Sequence, residues 1–173
     1  MERLWSPWRS RYIQTFGTEL EDKGCVFCRA LASSDDDAHY LLCRHEHSFT
    51  MLNLYPYNSG HLLIIPRLHT ASYADLSREA YRELTELPRD WMRVFDEVMH
   101  PQGYNIGSNV GRVAGAGIDT HVHVHVVPRW SGDANFMPVI ADTKVISEDM
   151  AETMQKLRAG FNSLDSRFSD HIQ

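Results

Sequence analysis

The sequence predicts an α+β domain built on a mainly antiparallel sheet with helices packed against it. Two strand-like runs, SFTMLNL and HLLIIP, are separated only by YPYNSG, whose proline, asparagine and glycine mark a turn between neighbouring strands. A third run, HVHVHVV at 121–127, alternates histidine with valine. In a strand this period of two puts His121, His123 and His125 on one face and Val122, Val124 and Val126 on the other. A long stretch of helical period from Ser77 to Met99 lies between these strands, and that combination belongs to the α+β class.

In chain order, Ser6 and Pro7 read as an N-cap followed by proline at the first helical position, so a short helix carrying Trp8 and Tyr12 is expected there. SSDDDAH at 33–39 reads as a solvated acidic loop. Two strands follow within His47–Pro66. In the long helix Leu84, Leu87, Trp91, Phe95 and Val98 recur at steps of three and four, a core or subunit face, and Pro88 implies either one kinked helix or two that abut. YNIGSNV reads as a strand, GRVAGAG as a glycine-rich loop, and HVHVHVV as a strand that Pro128 stops. Ser147, Glu148 and Asp149 open a last helix running to about Phe161, with the acidic residues at its positive end, and a polar tail follows. The whole reads as one domain over 1–173, with an N-terminal extension at 1–24, a core at 25–146, and a C-terminal helix and tail at 147–173.

With 173 residues at 43% hydrophobic composition the chain can close one ordinary core. Its net charge of −6 gives no general attraction to a nucleic acid polymer, so a polyanionic small substrate needs local compensation. No apolar run of membrane-spanning length is present, and MERLWSPWRSRYIQ lacks a signal-peptide core, so no membrane partner and a cytoplasmic location are expected. Three cysteines make no disulfide framework, which agrees with a reducing compartment; Cys43 reads as a small, partly buried hydrophobe.

The histidine row is poorly suited to a single metal ion. Neighbours at i and i+2 lie about 7 Å apart and the ends of the row about 13 Å, whereas a zinc–nitrogen bond is about 2 Å. At least one imidazole is therefore available as a nucleophile or proton donor near neutral pH. Surface exposure is the plain alternative. The glycine-rich loop directly before the row argues against it, because its backbone amides can approach an anion closely there. CVFC has zinc-ligand spacing but is half a site, and its rival, a thioredoxin-like redox motif, wants a long helix that RALASSDDDAH does not sustain. Spacing alone leaves His39, His45, His47, His69 and the row as candidates for the second pair of ligands.

HVHVHVV resembles the signature of the histidine triad (HIT) family, in which histidine and hydrophobic residues alternate as H-φ-H-φ-H-φ-φ. MERLWSPWRSRYI, CVFC, LNLYPYNSGHLLIIP, GYNIGSNVGRVAGAG and HVHVHVVPRWSGDANF extend the likeness to about Val145 and resemble the bacterial branch that includes diadenosine tetraphosphate phosphorylases. The resemblance implies a HIT-like fold of about five strands with packed helices, its sheet continued across a homodimer. It implies that His123 attacks the α-phosphorus of a nucleotide and carries a nucleotidyl group, a covalent route that splits one displacement into two. His125 would donate to a phosphate oxygen or the leaving group, helped by amides of Gly115, Ala116 and Gly117, with His61 beside them. Asn53 matches the ribose position; Val26, Phe27, Met51 and Leu54 match the base sandwich, although each also suits plain core; Asn109 and Trp130 match positions near the phosphates and the pocket mouth. By the same resemblance Cys25, Cys28, His69 and His121 hold a structural zinc, and no organic cofactor is expected.

The chain departs from the pattern at Gly117, where many family hydrolases have glutamine and some phosphorylases serine, which leaves the acceptor open. The expected activity is nucleotidyl transfer or hydrolysis on dinucleoside polyphosphates, with the diadenosine tetraphosphate phosphorylase reaction as the narrower expectation. A nucleoside phosphoramidase or adenylyl-lysine hydrolase is the enzymatic alternative, and a zinc-braced nucleotide-binding module without turnover is the other.

Overall fold

The structure, a computed structural model, describes residues 24–133 and 148–169, with side chains to 164 in the last segment. The helix expected near Ser6, the expected opening of the last helix at Ser147, and the end of the tail lie outside the described residues. Five strands form one antiparallel sheet in the order β1-β2-β3-β5-β4: β1 Leu41–Arg44, β2 Ser48–Leu52, β3 Leu62–Pro66, β4 Gly103–Gly107 and β5 Val124–Arg129. Among the described residues three α-helices accompany it, α1 Val26–Ala32, α2 Arg78–Val98 and α3 Met150–Ser169. Among the described residues no helix is long and apolar enough to cross a membrane.

Alternation along the strands sorts the core into two layers. Leu42, Leu52, Leu62, Ile64, Val124 and Val126 face α2 and α3, meeting Leu84, Trp91, Phe95 and Leu157. Leu41, Phe49, Met51, Leu63 and Ile65 point the other way, onto Phe27 and Ala30 of α1. β2 and β3 are buried on both faces; β3 accordingly reads as a continuous apolar run, whereas β2 carries the polar Ser48 and Thr50, whose hydroxyls meet Glu83 and the Trp91 Nε1–H. The stripe on α2 is core, as expected: Trp91 is fully buried and its Nε1–H donates to Thr50 Oγ1 at 3.2 Å. Pro88 sits inside one continuous α2, and Ser77 caps that helix by accepting the Ala80 N–H at 3.1 Å.

Several expectations are corrected. β1 is too short, at four residues, to show a pattern of its own; it is fastened by Arg44, which pairs with Asp36 of the acidic loop at 2.7 Å and donates to the carbonyls of Leu31 and Ser33. The strand read over 121–127 begins its regular pairing only at Val124, and the strand read at YNIGSNV spans Gly103–Gly107. Pro128 does not stop β5. It lies beyond the last residue of β5 that pairs with β3, and its carbonyl points to that unpaired side, where Asn58 Nδ2–H donates to it at 3.1 Å, so no ladder bond there needs its missing N–H. α3 runs to Ser169, past Phe161, and the side chain of Asp149 accepts from the Ala151 and Glu152 amides at its start.

Candidate active site

His125 lies opposite Leu63 in the β3–β5 ladder and therefore faces α1, and the alternation carries His123 and His121 to the same side. The Val122 N–H donates to the Thr70 carbonyl at 2.7 Å, which holds the row against the loop that follows β3. A cavity of about 220 Å³ opens on this face. Of the residues expected from the sequence, Val26, Phe27, Met51, Leu54, Asn53, Asn109, Gly115, Gly117, His123 and His125 all line it. Ala116 is buried within the loop and His61 lies behind His125, so neither lines the cavity; the Ala116 and Gly115 N–H groups, expected to face phosphates, instead donate to the Gly111 and Arg112 carbonyls at 3.3 and 2.9 Å and close the turn. Trp130 does not line it either: its Nε1–H is directed to the Met99 and His100 carbonyls, at 3.3 and 3.2 Å. Gly115 adopts φ 89°, a left-handed conformation that ends the short 3-10 turn at Arg112–Ala114 and bends the loop along the cavity.

The hydrogen-bond partners assign the tautomers. His123 Nδ1–H donates to the carbonyl of His121 at 2.9 Å, which leaves Nε2 of the neutral ring with its lone pair. Burial pushes the pKa of His123 down, against a smaller upward effect of that hydrogen bond, so the ring is held neutral. His125 takes the opposite arrangement. The Tyr57 backbone N–H can only donate, and it meets His61 Nδ1 at 3.0 Å; the His61 proton is then on Nε2, which donates to His125 Nδ1 at 2.9 Å. His125 in turn carries its proton on Nε2. Asn53 agrees with this: its Oδ1 accepts from the Tyr55 N–H at 3.0 Å, so its amide nitrogen is the atom turned to His61 Nδ1, at 3.3 Å. The face thus offers a bare imidazole nitrogen next to a protonated one, with the two rings 4.8 Å apart.

The remaining histidine of the row belongs to a second cluster. His121 Nε2–H donates to the Pro66 carbonyl at 2.9 Å, which turns Nδ1 toward Cys25 Sγ at 3.4 Å, Cys28 Sγ at 3.8 Å and His69 Nδ1 at 3.2 Å. Cys28 Sγ lies 3.4 Å from His69 Nδ1, and the four donor atoms all fall within 4.8 Å of one another. The edges of a tetrahedron drawn with metal–sulfur and metal–nitrogen bonds of ordinary zinc length are about 3.3–3.8 Å, close to these four separations, so the donor set is of a size to close on one four-coordinate ion. Burial lowers the His121 pKa to about 4, which keeps its Nδ1 bare, and burial followed by the charge of Cys25 raises that of Cys28. A bound dication would reverse the second effect. Of the other candidates, His39 lines the cavity, His45 bonds Thr50, and His47 is near Glu46.

The two clusters are mechanically joined. The His121 carbonyl that fixes the His123 tautomer is one residue's backbone away from the donor set, and the Phe27 ring, between the two cysteines in sequence, packs edge-on to both His121 and His123 at 5.5 and 5.1 Å. Arg29, Tyr55 and Tyr57 also line the cavity and were not singled out from the sequence, where nothing local distinguishes them; His39, considered there only as a metal ligand, lines it too. Among the described lining residues Arg29 is the one fixed charge and there is no carboxylate, in a chain of net charge −6.

Residues 35–132 match the HIT domain family. A protein of Mycobacterium tuberculosis named AP-4-A phosphorylase is 35% identical over 162 residues, covering 91% of this chain and 83% of that one. An adenosine 5'-monophosphoramidase of Schizosaccharomyces pombe is 30% identical over 105 residues, covering 61% of this chain and 74% of that one. Among solved structures, a histidine triad family protein from Mycobacterium smegmatis, described as Zn-bound, superposes with a TM-score of 0.67 at 30% identity over 83% of this chain and 97% of that one. The match, which spans the histidine row and all five strands of the sheet, places this chain in the HIT family.

Proposed function

We propose that the protein transfers a nucleotidyl group from a dinucleoside polyphosphate through a nucleotidyl-His123 intermediate, with orthophosphate as the acceptor. The observation that carries this reading is the pair of opposite tautomers at the cavity wall, a bare Nε2 on His123 beside a protonated Nε2 on His125. The His123 lone pair forms a bond to the α-phosphorus while the bridging P–O bond breaks; the electron pair leaves with the departing nucleotide oxygen, whose charge His125 Nε2–H stabilises by a hydrogen bond. An oxygen of orthophosphate then attacks the same phosphorus, its proton passes to solvent, and the P–N bond breaks to restore His123. The Gly117 amide suits the phosphate oxygens, and the cavity's lack of lining carboxylates removes a source of repulsion.

The apolar walls formed by Val26, Phe27, Met51 and Leu54 take the base, and Asn53 the ribose. Zinc on Cys25, Cys28, His69 and His121 is the brace: bound there, it locks the start of the nucleophile strand and supplies no chemistry to the substrate. β4 is an edge strand with exposed Ile106, which suits continuation of the sheet across a homodimer. Two of the three cysteines have a metal role and do not form a disulfide, which suits a reducing, cytoplasmic setting.

Diadenosine tetraphosphate incubated with and without orthophosphate tests the reaction. The expected products are ATP and ADP, with ADP formed only when orthophosphate is present. AMP formed regardless of phosphate would make the protein a hydrolase, and cleavage confined to nucleoside phosphoramidates would move it beside the fission-yeast relative.

A further inference from the structure

Among the polar side chains that line the cavity and that nucleotidyl transfer leaves without a task are Arg29 and His39. Their place follows from the fold. α1 starts on the β5 side of the sheet, where Cys25 and Cys28 meet His121, and ends on the β1 side, where the Leu31 carbonyl accepts from Arg44. Arg29 lies past Cys28 and so on the half of the helix nearer β1. His39 comes two residues before β1; the Tyr40 carbonyl accepts the Leu52 N–H at 2.9 Å, which sets His39 beside the Asn53–Leu54 end of β2. β2 and β3 separate β1 from the strand of His123 and His125, and three strand spacings amount to about 14 Å. His39 is therefore removed from the α-phosphorus, and Arg29 lies on the half of α1 that runs away from the cysteines and toward β1. Both stand at the opposite end of a cavity whose middle is apolar, lined by Phe27, Ala30, Met51 and Leu63.

We infer that Arg29 and His39 read the far edge of the base and make the site prefer a 6-oxopurine, guanine, over adenine. This rests on the nucleotide reading given above and deepens it. A guanidinium is a donor-only fork, and the O6 and N7 of guanine are two adjacent acceptors that match it; adenine turns an N6 donor toward the same fork. His39 can accept as well as donate, so it complements the N1–H and exocyclic amine of guanine on the neighbouring edge. Apolar walls hold either purine, so discrimination comes from the edge contacts. Because Arg29 is exposed, its contribution belongs at the lower end of what a bidentate arginine–guanine pair gives, about ten-fold in affinity.

The test is equilibrium binding of GMP, IMP and AMP to the metal-loaded full chain and to its Arg29→Met and His39→Leu variants. Methionine keeps the stem volume of Arg29 and removes the fork. GMP is expected to bind about ten-fold tighter than AMP, with IMP, which keeps O6, N7 and N1–H, close to GMP. Arg29→Met should bring the GMP to AMP ratio toward one, and His39→Leu should lower it part of the way. A wild-type ratio at or below one overturns the inference, as does an Arg29→Met variant that weakens GMP and AMP by the same factor, which would make Arg29 a general phosphate attractor. IMP behaving like AMP also overturns it. If no mononucleotide binds at all, the nucleotide reading fails and takes the inference with it; binding without discrimination refutes the inference alone.

Discussion

Replacing His61 by leucine is expected to slow nucleotidyl transfer without emptying the cavity. His61 is 1% exposed, does not line the cavity, and reaches the substrate only through His125, so its effect on chemistry passes through the tautomer it imposes. Leucine removes an acceptor for the Tyr57 N–H and a donor for His125 Nδ1. Loss of a buried partner costs about 1–3 kcal/mol of stability. Proton donation by a positioned side chain is worth about 10²–10⁴ in rate, and the His125 ring remains in place, so the loss falls at the lower end, about 10² in kcat, while mononucleotide affinity persists. His61→Gln keeps an amide donor where Nε2 was and should recover most of that loss. Single-turnover release of the leaving group separates this from simple loosening of the fold. A nucleoside phosphoramidate with a basic amine needs the proton and should suffer strongly in His61→Leu, whereas a nitrophenyl ester, whose phenolate leaves unprotonated, should suffer little. Equal loss on both substrates, or a glutamine variant as slow as the leucine one, would refute the proposed relay.

Further outcomes follow from other parts of the structure. Elemental analysis of undenatured protein purified without chelator should find about one zinc per chain, since four donors converge on one tetrahedral site, and Cys28→Ser should lower both zinc content and melting temperature; metal-free protein of full stability would contradict the brace. Gly60→Ala should cost more than Gly132→Ala. Both glycines have positive φ, worth about 1–2 kcal/mol against alanine, but a Cβ at Gly60 would lie 2.9 Å from Cε1 of the fully buried Phe95, whereas at Gly132 nothing lies within 4 Å. The crowding adds about 1–3 kcal/mol, and equal shifts in denaturation midpoint would show that Phe95 yields. Arg129 beside Asp133 holds that carboxyl down at about 2, below its ordinary value of 3.8. The folded state then binds fewer protons than the unfolded one, so this contribution to stability is present above about pH 4 and is lost as pH falls toward 2. Denaturation curves over that range should be steeper in pH for the wild type than for Asp133→Asn, and identical slopes would refute the assignment.

The face of each histidine was legible because a period of two survives wherever the backbone is extended. His121 and His123 share the α1 side although regular pairing starts only at Val124. The long helix was legible because Leu84, Leu87, Trp91 and Phe95 repeat over several turns. β1 was not, since LLCR is too short to establish a period and is held by Arg44 reaching across to Asp36, a contact made only on folding. Pro128 misled for a related reason: whether a missing N–H matters depends on which side of the strand has a neighbour, and that is a property of the sheet. Spacing alone left the partners of CVFC open, because His69 and His121 are 52 residues apart and meet only when the Val122 amide pairs with Thr70. The family resemblance singled them out, and the geometry assembles them. Arg29 carries no local signal, and His39 stands out in the sequence only as a candidate metal ligand; both become cavity residues because α1 and the start of β1 close one end of the cavity.

The most direct test of the central claim is to look for the covalent intermediate itself. Protein mixed with diadenosine tetraphosphate in the absence of orthophosphate, quenched in denaturant at neutral to alkaline pH to preserve a phosphorus–nitrogen bond, and mapped by peptide mass spectrometry should carry one adenylyl group on His123. The label should disappear on addition of orthophosphate, with release of ADP, and should be absent from His123→Ala. An enzyme that turns over with no label on His123, or with the label on another residue, would contradict the mechanism.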